Sequence, residues 1–179
     1  MSSENERVIL VDEADRELGA EEKLAAHRNG GRLHRAFSVF VFDDDGQLLL
    51  QRRADGKYHS AGLWSNTCCG HPRPGEEVTD AARRRLFEEM GFDCPLERRF
   101  SFEYKAELEN GLTEHELDHV LVGRFAGNPN PDPSEVGAWR AVPPSEIESE
   151  LAEDPEAYSA WFPIAFRQLV GGSSPDAPA

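Results

Sequence analysis

The chain has 179 residues, with 19 basic and 34 acidic side chains that give a formal charge of −15. This length suits one domain with a real core, and the acidic balance excludes the basic surface that nucleic-acid-binding proteins use. No apolar run approaches the roughly 20 residues that span a bilayer, and the first residues lack the pattern of a secretory signal. Three cysteines, two of them adjacent, favour a reducing, cytoplasmic location over a disulfide framework.

The basic residues include only three lysines, Lys23, Lys57 and Lys105. The acidic excess is consistent either with an ordinary acidic protein or with a high-salt cytoplasm, where surface carboxylates hold water and salt screens their repulsion. Three Trp and ten Phe residues show that the acidity is not a sign of general disorder.

The first half of the chain is predicted to contain three strands and one helix. Residues 1–6 and the tail 171–179 are predicted to be disordered, which leaves a single domain over residues 7–170. A strand is predicted at residues 8–11, and a helix at residues 20–28 with Leu24 and Ala25 facing inward. Two further strands, residues 35–42 and 47–51, flank the sequence Asp44-Asp45-Gly46, which is typical of a hairpin.

The second half continues with a helix at Val78–Met90, followed by Gly91 as a left-handed C-terminal cap. Strands are predicted at residues 97–108 and 115–125, separated by a turn at Asn110-Gly111, and at Val136–Val142. Two short helices follow Pro143, the second carrying Trp161. Together these elements predict an α+β fold, with a mixed β-sheet sandwiched between helices.

The helix at Val78–Met90 carries an unusual concentration of charge. It is consistent with a solvated face with ion pairs Arg84–Glu88 and Arg85–Glu89. Read from Gly70, however, the segment is G-x5-E-x7-R-R-L-F-E-E-M-G-F, which runs through Glu76, Arg84, Glu88, Glu89 and Gly91. This pattern resembles the Nudix box, a loop–helix–loop that holds Mg²⁺ against a diphosphate.

One position departs from the box of the Nudix hydrolases, because Arg85 stands where they have a glutamate. Clustered carboxylates in a hydrolase hold the metal ions that activate water. A guanidinium there removes one ligand and adds a repulsive charge. The sequence therefore predicts a site that binds a diphosphate and has lost the ability to hydrolyse it.

Two other segments contain reactive side chains. The first is Asn66-Thr67-Cys68-Cys69-Gly70-His71-Pro72, whose cysteine is consistent with a buried thiol in a tight turn or with half of a zinc site, although no second cysteine pair exists. The second is Thr113-Glu114-His115-Glu116, whose carboxylates share one face of a strand and suit either solvent or an ion. Together with His27 and His34, these two segments suggest one metal site. Its ligands would be three imidazoles and two carboxylates, His27, His34, His71, Glu114 and Glu116, a set suited to Zn²⁺, Mn²⁺ or Fe²⁺.

With these pieces in place, the sequence resembles the type 1 isopentenyl-diphosphate δ-isomerases, Nudix-superfamily members whose signature includes N-x-x-C-G-H-P. The likeness extends from about residue 23 to residue 161 and includes the substituted Nudix box, with Cys69 at the signature position. It implies an α/β/α Nudix-like fold and a small isoprenoid diphosphate as substrate, moved between its two isomers by a proton shift through a tertiary carbocation.

The resemblance also implies a role for individual residues. Cys69 and Glu116 would be the proton-transfer groups on opposite faces of the substrate, with Tyr104 orienting Glu116; which of the two delivers the first proton stays open. One Mn²⁺ or Zn²⁺ would be held by His27, His34, His71, Glu114 and Glu116. Mg²⁺ would arrive with the diphosphate and be held by Glu89 and the Cys69 carbonyl. The diphosphate contacts would be Lys23, Arg53, Lys57 and Arg85.

Trp161 would offer its π face to the carbocation, although packing of a C-terminal helix would equally account for it, and Trp64 is a weaker candidate for the same wall. Two alternative functions remain: a Nudix pyrophosphohydrolase acting on a nucleoside diphosphate derivative, and a metal-stabilised binding module without turnover. No nucleic-acid or membrane partner is expected, and the chain is expected to be a monomer or a weak homodimer. His115 and His119 have no assigned role.

Overall fold

A single mixed sheet of nine strands runs through the part of the chain that the structure, a computed structural model, describes: residues 6–57 and 59–172. The strands are β1 (Arg7–Val11), β2 (Glu17–Glu22), β3 (His34–Phe42), β4 (Leu48–Arg53), β5 (Trp64–Ser65), β6 (Cys68–Gly70), β7 (Leu96–Glu107), β8 (Thr113–Arg124) and β9 (Val136–Val142). The helices are α1 (Lys23–Ala26), α2 (Val78–Met90), α3 (Pro144–Glu153) and α4 (Phe162–Gly171).

Strand β3 is the organising element, because it pairs with strands on both sides. It runs parallel to β8, with His34 opposite Glu116, and antiparallel to β6, with Ser38 opposite Cys69. The other ladders are also antiparallel, and the longest of them join β1 with β2, β7 with β8 and β4 with β9. The sheet is therefore mixed, as predicted, and β3 carries the sequences around Cys69 and Glu116 to either side of itself.

Two apolar clusters cover the sheet. One contains Phe37 and Val39 of β3 with Leu86 and Met90 of α2. The other contains Phe40 of the same strand with residues of α3 and α4. Because alternate residues of a strand face opposite sides, this division confirms the predicted sandwich of helix, sheet and helix.

Helix α2 has the predicted bounds and ends as the sequence indicates. Gly91 adopts φ +74° and its N–H donates to the carbonyl of Phe87 at 3.0 Å. A Cβ on Gly91 would lie 2.1 Å from the carbonyl oxygen of Asn130. Glycine is therefore required here both for the left-handed backbone and for the close approach of the loop from residue 130.

The predicted helix at residues 20–28 is wrong over its first half. Residues Glu17–Glu22 form β2, whose backbone pairs with β1, with Val8 opposite Glu21. Tertiary pairing thus overrides helix propensity, and only the single turn α1 remains. Its fully buried side chain is Ala26 rather than the predicted Leu24 and Ala25, which are half-buried.

The hairpin around Gly46 is confirmed at its turn, but β3 and β4 form only one pair within the ladder, Phe42 opposite Leu48. The two strands then diverge, so that β6 can pair with β3 and β5 with β4. The short strands β5 and β6 were not predicted. Strands β7 and β8 and their turn at Asn110, with φ +62°, are confirmed to within two residues at each end.

Most of the predicted disordered ends, residues 1–5 and 173–179, lie outside the described residues. Glu6 forms an ion pair with Lys23 at 3.0 Å, and Gly171 is the last residue of α4. Within the described ranges, no helix combines the length and apolar character needed to cross a bilayer.

Candidate active site

A small cleft gathers most of the residues that the sequence predicted to be functional. It lies where the sheet meets both helical layers, since α2 contributes Arg85 and Glu89 and the start of α4 contributes Trp161. The predicted residues that line it are Lys23, Arg53, Lys57, Cys69, His71, Arg85, Glu89, Glu114, Glu116 and Trp161. Cys69 and Glu116 therefore face one cavity.

Three acidic residues of β8 point into this cleft from one face of the strand. Glu114, Glu116 and Asp118 alternate along β8, so their side chains share that face, and all three are buried. Tyr104 lies directly opposite Glu116 on β7 and is also buried. Tyr104 is predicted to orient Glu116, but its hydroxyl has no hydrogen-bond partner in the described ranges and so makes no hydrogen bond to Glu116.

Four buried side chains form a cluster able to hold a metal ion. His27, His34, His71 and Glu116 each place a donor atom within 4.8 Å of the others. The ring centroid of His34 lies 4.9 Å from that of His27 and 5.0 Å from that of His71. His71 Nε2 lies 3.0 Å from Glu116 Oε1 and His34 Nε2 lies 3.6 Å from the same oxygen.

The hydrogen bonds around this cluster fit a divalent cation. His27 Nδ1 donates to the carbonyl of Lys23 at 2.6 Å, and His34 Nδ1 donates to the carbonyl of Arg32 at 2.8 Å. With the proton held on Nδ1, Nε2 of each neutral ring presents its lone pair to the cluster. A backbone carbonyl behind the ring is the usual support of a metal-ligating histidine.

The electrostatics of the cluster also favour neutral imidazoles. Burial lowers the pKa of His27, and burial lowers the pKa of His71 to about 4 although Glu116 opposes the shift. Burial acting alone would raise the pKa of Glu116, but the neighbouring His34 and His71 hold it well below its usual range. The cluster thus combines three lone pairs with one carboxylate, a donor set that suits Zn²⁺ or Mn²⁺.

Glu114, the fifth predicted ligand, lies beside the four-residue group rather than within it. Burial and repulsion from Glu116 raise its pKa well above the usual range. Its Oε1 lies 3.7 Å from Nε2 of His59, and its Oε2 has no hydrogen-bond partner in the described ranges. Glu114 is therefore next to the cluster, with one oxygen available to a ligand.

The Cys69 thiol lies across β3 from the acidic face of β8. Its Sγ is 3.2 Å from Asn66 Oδ1 and 3.6 Å from Ser38 Oγ, and the Ser38 hydroxyl donates to Asp118 Oδ2 at 2.7 Å. Burial, with the Asp118 carboxyl nearby, raises the pKa of Cys69 to about 12. At neutral pH the thiol is therefore protonated.

Four basic side chains also line the cleft, and these residues, Lys23, Arg53, Lys57 and Arg85, define its cationic end. Each predicted diphosphate contact interacts with protein groups: Lys23 with Glu6, Lys57 with Glu135, and Arg53 with the carbonyl of His59 at 3.2 Å. Arg85 contacts Glu88 at 2.6 Å and Glu89 at 2.5 Å. Four basic side chains are thus gathered in one cleft of a chain whose formal charge is −15.

Glu89, the predicted Mg²⁺ ligand, is buried at this cationic end. Its Oε2 accepts a hydrogen bond from Gln51 Nε2 at 2.9 Å, and its Oε1 accepts from Arg85. Gly70 keeps the neighbouring backbone close, since a Cβ there would meet the Phe37 ring at 2.8 Å and Arg85 Cγ at 3.2 Å.

Trp161 lies at the N-terminal cap of α4, is buried, and lines the cleft. Arg53 lies over its ring, with Cζ 5.4 Å from the centroid, so the π face is already presented to a cation. Trp64 is the second candidate for this wall. It does not line the cleft, and Arg140 lies over its ring at 4.4 Å.

Sequence reasoning gave no role to three polar residues that line the cleft, Ser38, His59 and Asp118, and it placed a fourth, Glu6, in a disordered segment. Asp118 continues the alternation of Glu114 and Glu116, so strand parity was a usable signal. Ser38 could be found only through the pairing of β3 with β6, and nothing in the sequence marks His59, whose ring lies 6.1 Å from that of Trp161.

The remaining charged residues singled out in the sequence have structural partners. Arg84 pairs chiefly with Glu76, at 2.8 and 2.9 Å, and lies 3.5 Å from the predicted Glu88. The two unassigned histidines contact carboxylates, His115 at 2.7 Å from Glu103 and His119 at 3.1 Å from Asp15.

Comparison with known proteins identifies relatives along almost the whole chain. Residues 32–162 match the model of the NUDIX domain. The chain is 52% identical over 165 residues to isopentenyl-diphosphate Delta-isomerase 2 of Aromatoleum aromaticum, covering 92% of this chain and 87% of that protein. It is 56% identical over 157 residues to the isopentenyl-diphosphate Delta-isomerase of Burkholderia multivorans, covering 88% and 89%.

Solved structures agree on the fold. A crystal structure of a Deinococcus radiodurans protein superposes with a TM-score of 0.68 and 22% identity, covering 83% of this chain and 90% of that one. A MutT protein from Methanosarcina mazei gives a TM-score of 0.65 at 18% identity, covering 79% and 96%. At these identities the likeness shows only that the folds are shared.

Proposed function

This chain belongs to the isopentenyl-diphosphate Delta-isomerase family, which is built on the NUDIX domain, and from that membership we propose how its cleft carries out the isomerisation. The reaction interconverts isopentenyl diphosphate and dimethylallyl diphosphate. One observation carries the proposal: Cys69 and Glu116 reach the same cleft from strands on either side of β3.

The reaction moves a double bond across three consecutive carbon atoms. One proton is added to the terminal carbon of the alkene, and another is removed from the carbon on the opposite side of the central, branched carbon. Protonation of an unactivated alkene produces a tertiary carbocation, so the acid must be held in place and water kept away. Cys69 and Glu116 are the proposed proton-transfer groups, one above and one below the hydrocarbon. Tyr104, opposite Glu116 on β7, is the proposed orienting group; its hydroxyl is buried and makes no hydrogen bond in the described ranges, so it is available to a carboxyl that moves.

The carbocation requires stabilisation without capture. Trp161 presents a π face, which stabilises a desolvated cation by about 2 kcal/mol and is not a nucleophile. Its contact with Arg53 supports this role, because the ring already lies against a positive group.

The diphosphate is proposed to bind at the cationic end of the cleft. Mg²⁺ bound to the diphosphate would be held by Glu89 and the Cys69 carbonyl oxygen, as hard oxygen ligands suit this ion. The proposed contacts from the protein are Lys23, Arg53, Lys57 and Arg85. Arg85 also supports isomerisation over hydrolysis, because it supplies a positive charge where a hydrolase has a metal-binding carboxylate.

His27, His34, His71, Glu114 and Glu116 are the proposed ligands of one Mn²⁺ or Zn²⁺. When bound, such an ion supplies positive charge that fixes the Glu116 carboxyl and increases its acidity. The residues themselves bring Glu116 to the cleft wall and exclude water, and burial lowers the pKa of His27 and His71, which favours their neutral forms.

The activity test uses purified protein with isopentenyl diphosphate, Mg²⁺, and Mn²⁺ or Zn²⁺ in deuterated buffer. The proposal predicts dimethylallyl diphosphate that contains deuterium, with no release of phosphate. Phosphate release without label would instead indicate a pyrophosphohydrolase, and metal binding without turnover would indicate a binding module.

The metal site is tested separately by measuring bound Mn²⁺ or Zn²⁺ per chain after dialysis. His34→Gln is expected to lose the ion. His115→Gln is the matched control, since His115 lies on the opposite face of β8 from Glu116 and contacts Glu103. Equal metal content in both variants would overturn the ligand assignment.

The setting of the enzyme completes the proposal. We expect a monomer or weak homodimer in the cytoplasm, with an acidic surface suited to high salt. Its net charge of −15 disfavours nucleic acid as a partner.

A further inference from the structure

The side chain of Asn66 is fully buried, and its orientation is fixed from behind. Its Nδ2 donates to two backbone carbonyls, that of Val39 at 3.1 Å and that of Cys68 at 2.8 Å. Because both amide hydrogens are used in this way, the Oδ1 atom must face the opposite direction. That direction is toward Cys69 and Trp161.

Three donors converge on this single oxygen. The Cys69 thiol lies 3.2 Å from Asn66 Oδ1, the Trp161 indole Nε1 donates to it at 3.1 Å, and the Ser65 hydroxyl donates at 2.9 Å. Cys69 belongs to β6 and Trp161 to the start of α4, so two elements that are distant in sequence are joined at one atom. Asn66 itself does not line the cleft.

We propose that Asn66 is a positioning residue, which sets the Cys69 thiol and the Trp161 ring in a fixed relation to each other through one shared acceptor. This inference rests on the proposed function, in which Cys69 transfers a proton and Trp161 faces the carbocation that results. The two groups must act on the same carbons, so an error in their relative position affects the proton transfer directly.

The location of Asn66 makes its effect specific. Asn66 lies behind the cleft wall and, in the described part of the chain, makes no hydrogen bond with Lys23, Lys57 or Arg85, so its loss leaves these three diphosphate contacts in place. Only Arg53, the fourth, is linked to Asn66, through the Trp161 ring that it lies over. When an interaction that positions groups for the chemical step is removed, kcat falls and substrate binding is unchanged. Replacement of a side chain that only fills space in the core would lower the stability of the protein and leave kcat of the folded fraction unchanged.

The test compares Asn66→Leu, which keeps the approximate shape and removes every hydrogen bond, with Thr67→Val. Thr67 is also fully buried and uses its hydroxyl to join Val41 N and the carbonyl of Leu49, but it contacts neither Cys69 nor Trp161. Asn66→Leu is expected to lower kcat by roughly a hundredfold, with KM changed by less than about threefold. Thr67→Val is expected to keep kcat within about threefold of the wild type.

A second readout does not depend on activity. The chain has three tryptophans, so the indole N–H signal of Trp161 in a proton–nitrogen correlation spectrum can be assigned by its loss in Trp161→Phe. In the wild type this signal is expected at a hydrogen-bonded position and in slow exchange with solvent deuterium. In Asn66→Leu it is expected to move toward the position of a free indole.

Asn66→Asp provides the conservative comparison, because it retains an acceptor oxygen in place of Oδ1, and it is expected to keep more activity than Asn66→Leu. An equal fall of kcat in Asn66→Leu and Thr67→Val would overturn the proposal. If Asn66→Leu does not fold, the wild-type spectrum decides, since a freely exchanging Trp161 N–H overturns the shared acceptor. Failure of the wild type to isomerise substrate would refute the proposed function while leaving this spectrum unaffected.

Discussion

Replacing Lys57 by methionine tests whether the cationic end of the cleft binds the diphosphate. In the structure the Lys57 ammonium contacts Glu135, and their side chains are 20% and 26% exposed to solvent. A hydrogen bond between charged groups contributes about 1.5–3 kcal/mol, and separating a partly exposed ion pair costs up to about 1 kcal/mol. With that cost subtracted in full, the net contribution of Lys57 to substrate binding is about 0.5–2 kcal/mol, which corresponds to a two- to thirtyfold rise in KM.

The assay measures initial rates of dimethylallyl diphosphate formation over a range of isopentenyl diphosphate concentrations at constant Mg²⁺. We expect KM to rise and kcat to change little, because the diphosphate contact is the same in the ground and transition states. The difference from wild type should shrink as salt is added, since the interaction is partly exposed.

Lys105→Met is the matched control, since it removes the same charge from an exposed position on β7 outside the cleft. Its KM should stay within about twofold of wild type, because only a distant, screened charge is lost. If the Lys57 and Lys105 variants showed the same KM, the assignment of the cationic end to the diphosphate would be wrong.

Three further predictions concern catalysis, the fold and acid stability. Cys69→Ala should abolish isomerisation while the protein stays folded. Cys94→Ala, which removes a buried thiol outside the cleft, should retain activity. Comparable rates in the two variants would contradict the role of Cys69. Gly91→Ala should destabilise the protein to urea by more than Gly46→Ala. Both residues have φ near +75°, a backbone penalty of about 1–2 kcal/mol, but only at Gly91 does the new Cβ meet another atom, so equal losses would refute the packing argument. Burial lowers the pKa of His119 to about 4. Between pH 6.5 and 4 the unfolded chain therefore binds a proton at this histidine that the folded chain does not bind. The free energy of unfolding should fall by up to about 3 kcal/mol as the pH falls through this range. His119→Gln should flatten this slope in urea titrations, and an unchanged slope would exclude the histidine as its source; the charged groups facing it are Asp15, Arg35 and Arg98.

The parts of the fold that the sequence predicted well are those governed by local chemistry. Helix α2 and its end at Gly91 follow from periodicity and the need for a left-handed cap. The turn at Asn110-Gly111 follows from residues that tolerate positive φ. In each case a short segment contains the whole reason for its conformation.

The errors arise where distant segments decide the structure. Residues 17–22 form a strand because β1 pairs with them. Strand β6 is only three residues long, too short for a pattern in the sequence, and its conformation depends on hydrogen bonds to β3. The pairing of β3 with both β6 and β8 is likewise invisible to periodicity, and it is this pairing that places Ser38 between Cys69 and Asp118.

The site residues were accessible to a different extent. Motif resemblance identified the groups with the most distinctive chemistry, such as Cys69 and Glu116, but gave no distances between them. Asp118 could have been found from strand parity alone. Asn66 belongs to the recognised signature, yet its contact with Trp161 depends on how α4 packs against β5 and β6.

The most direct test of the account is a crystal structure with isopentyl diphosphate, a saturated analogue that binds but offers no double bond to protonate. We predict that its alkyl chain lies between Cys69 Sγ and the Glu116 carboxyl, with the diphosphate against Lys57 and Arg85. Finding the thiol and the carboxyl on the same side of the alkyl chain, or the chain outside the cleft, would contradict the proposed proton shift.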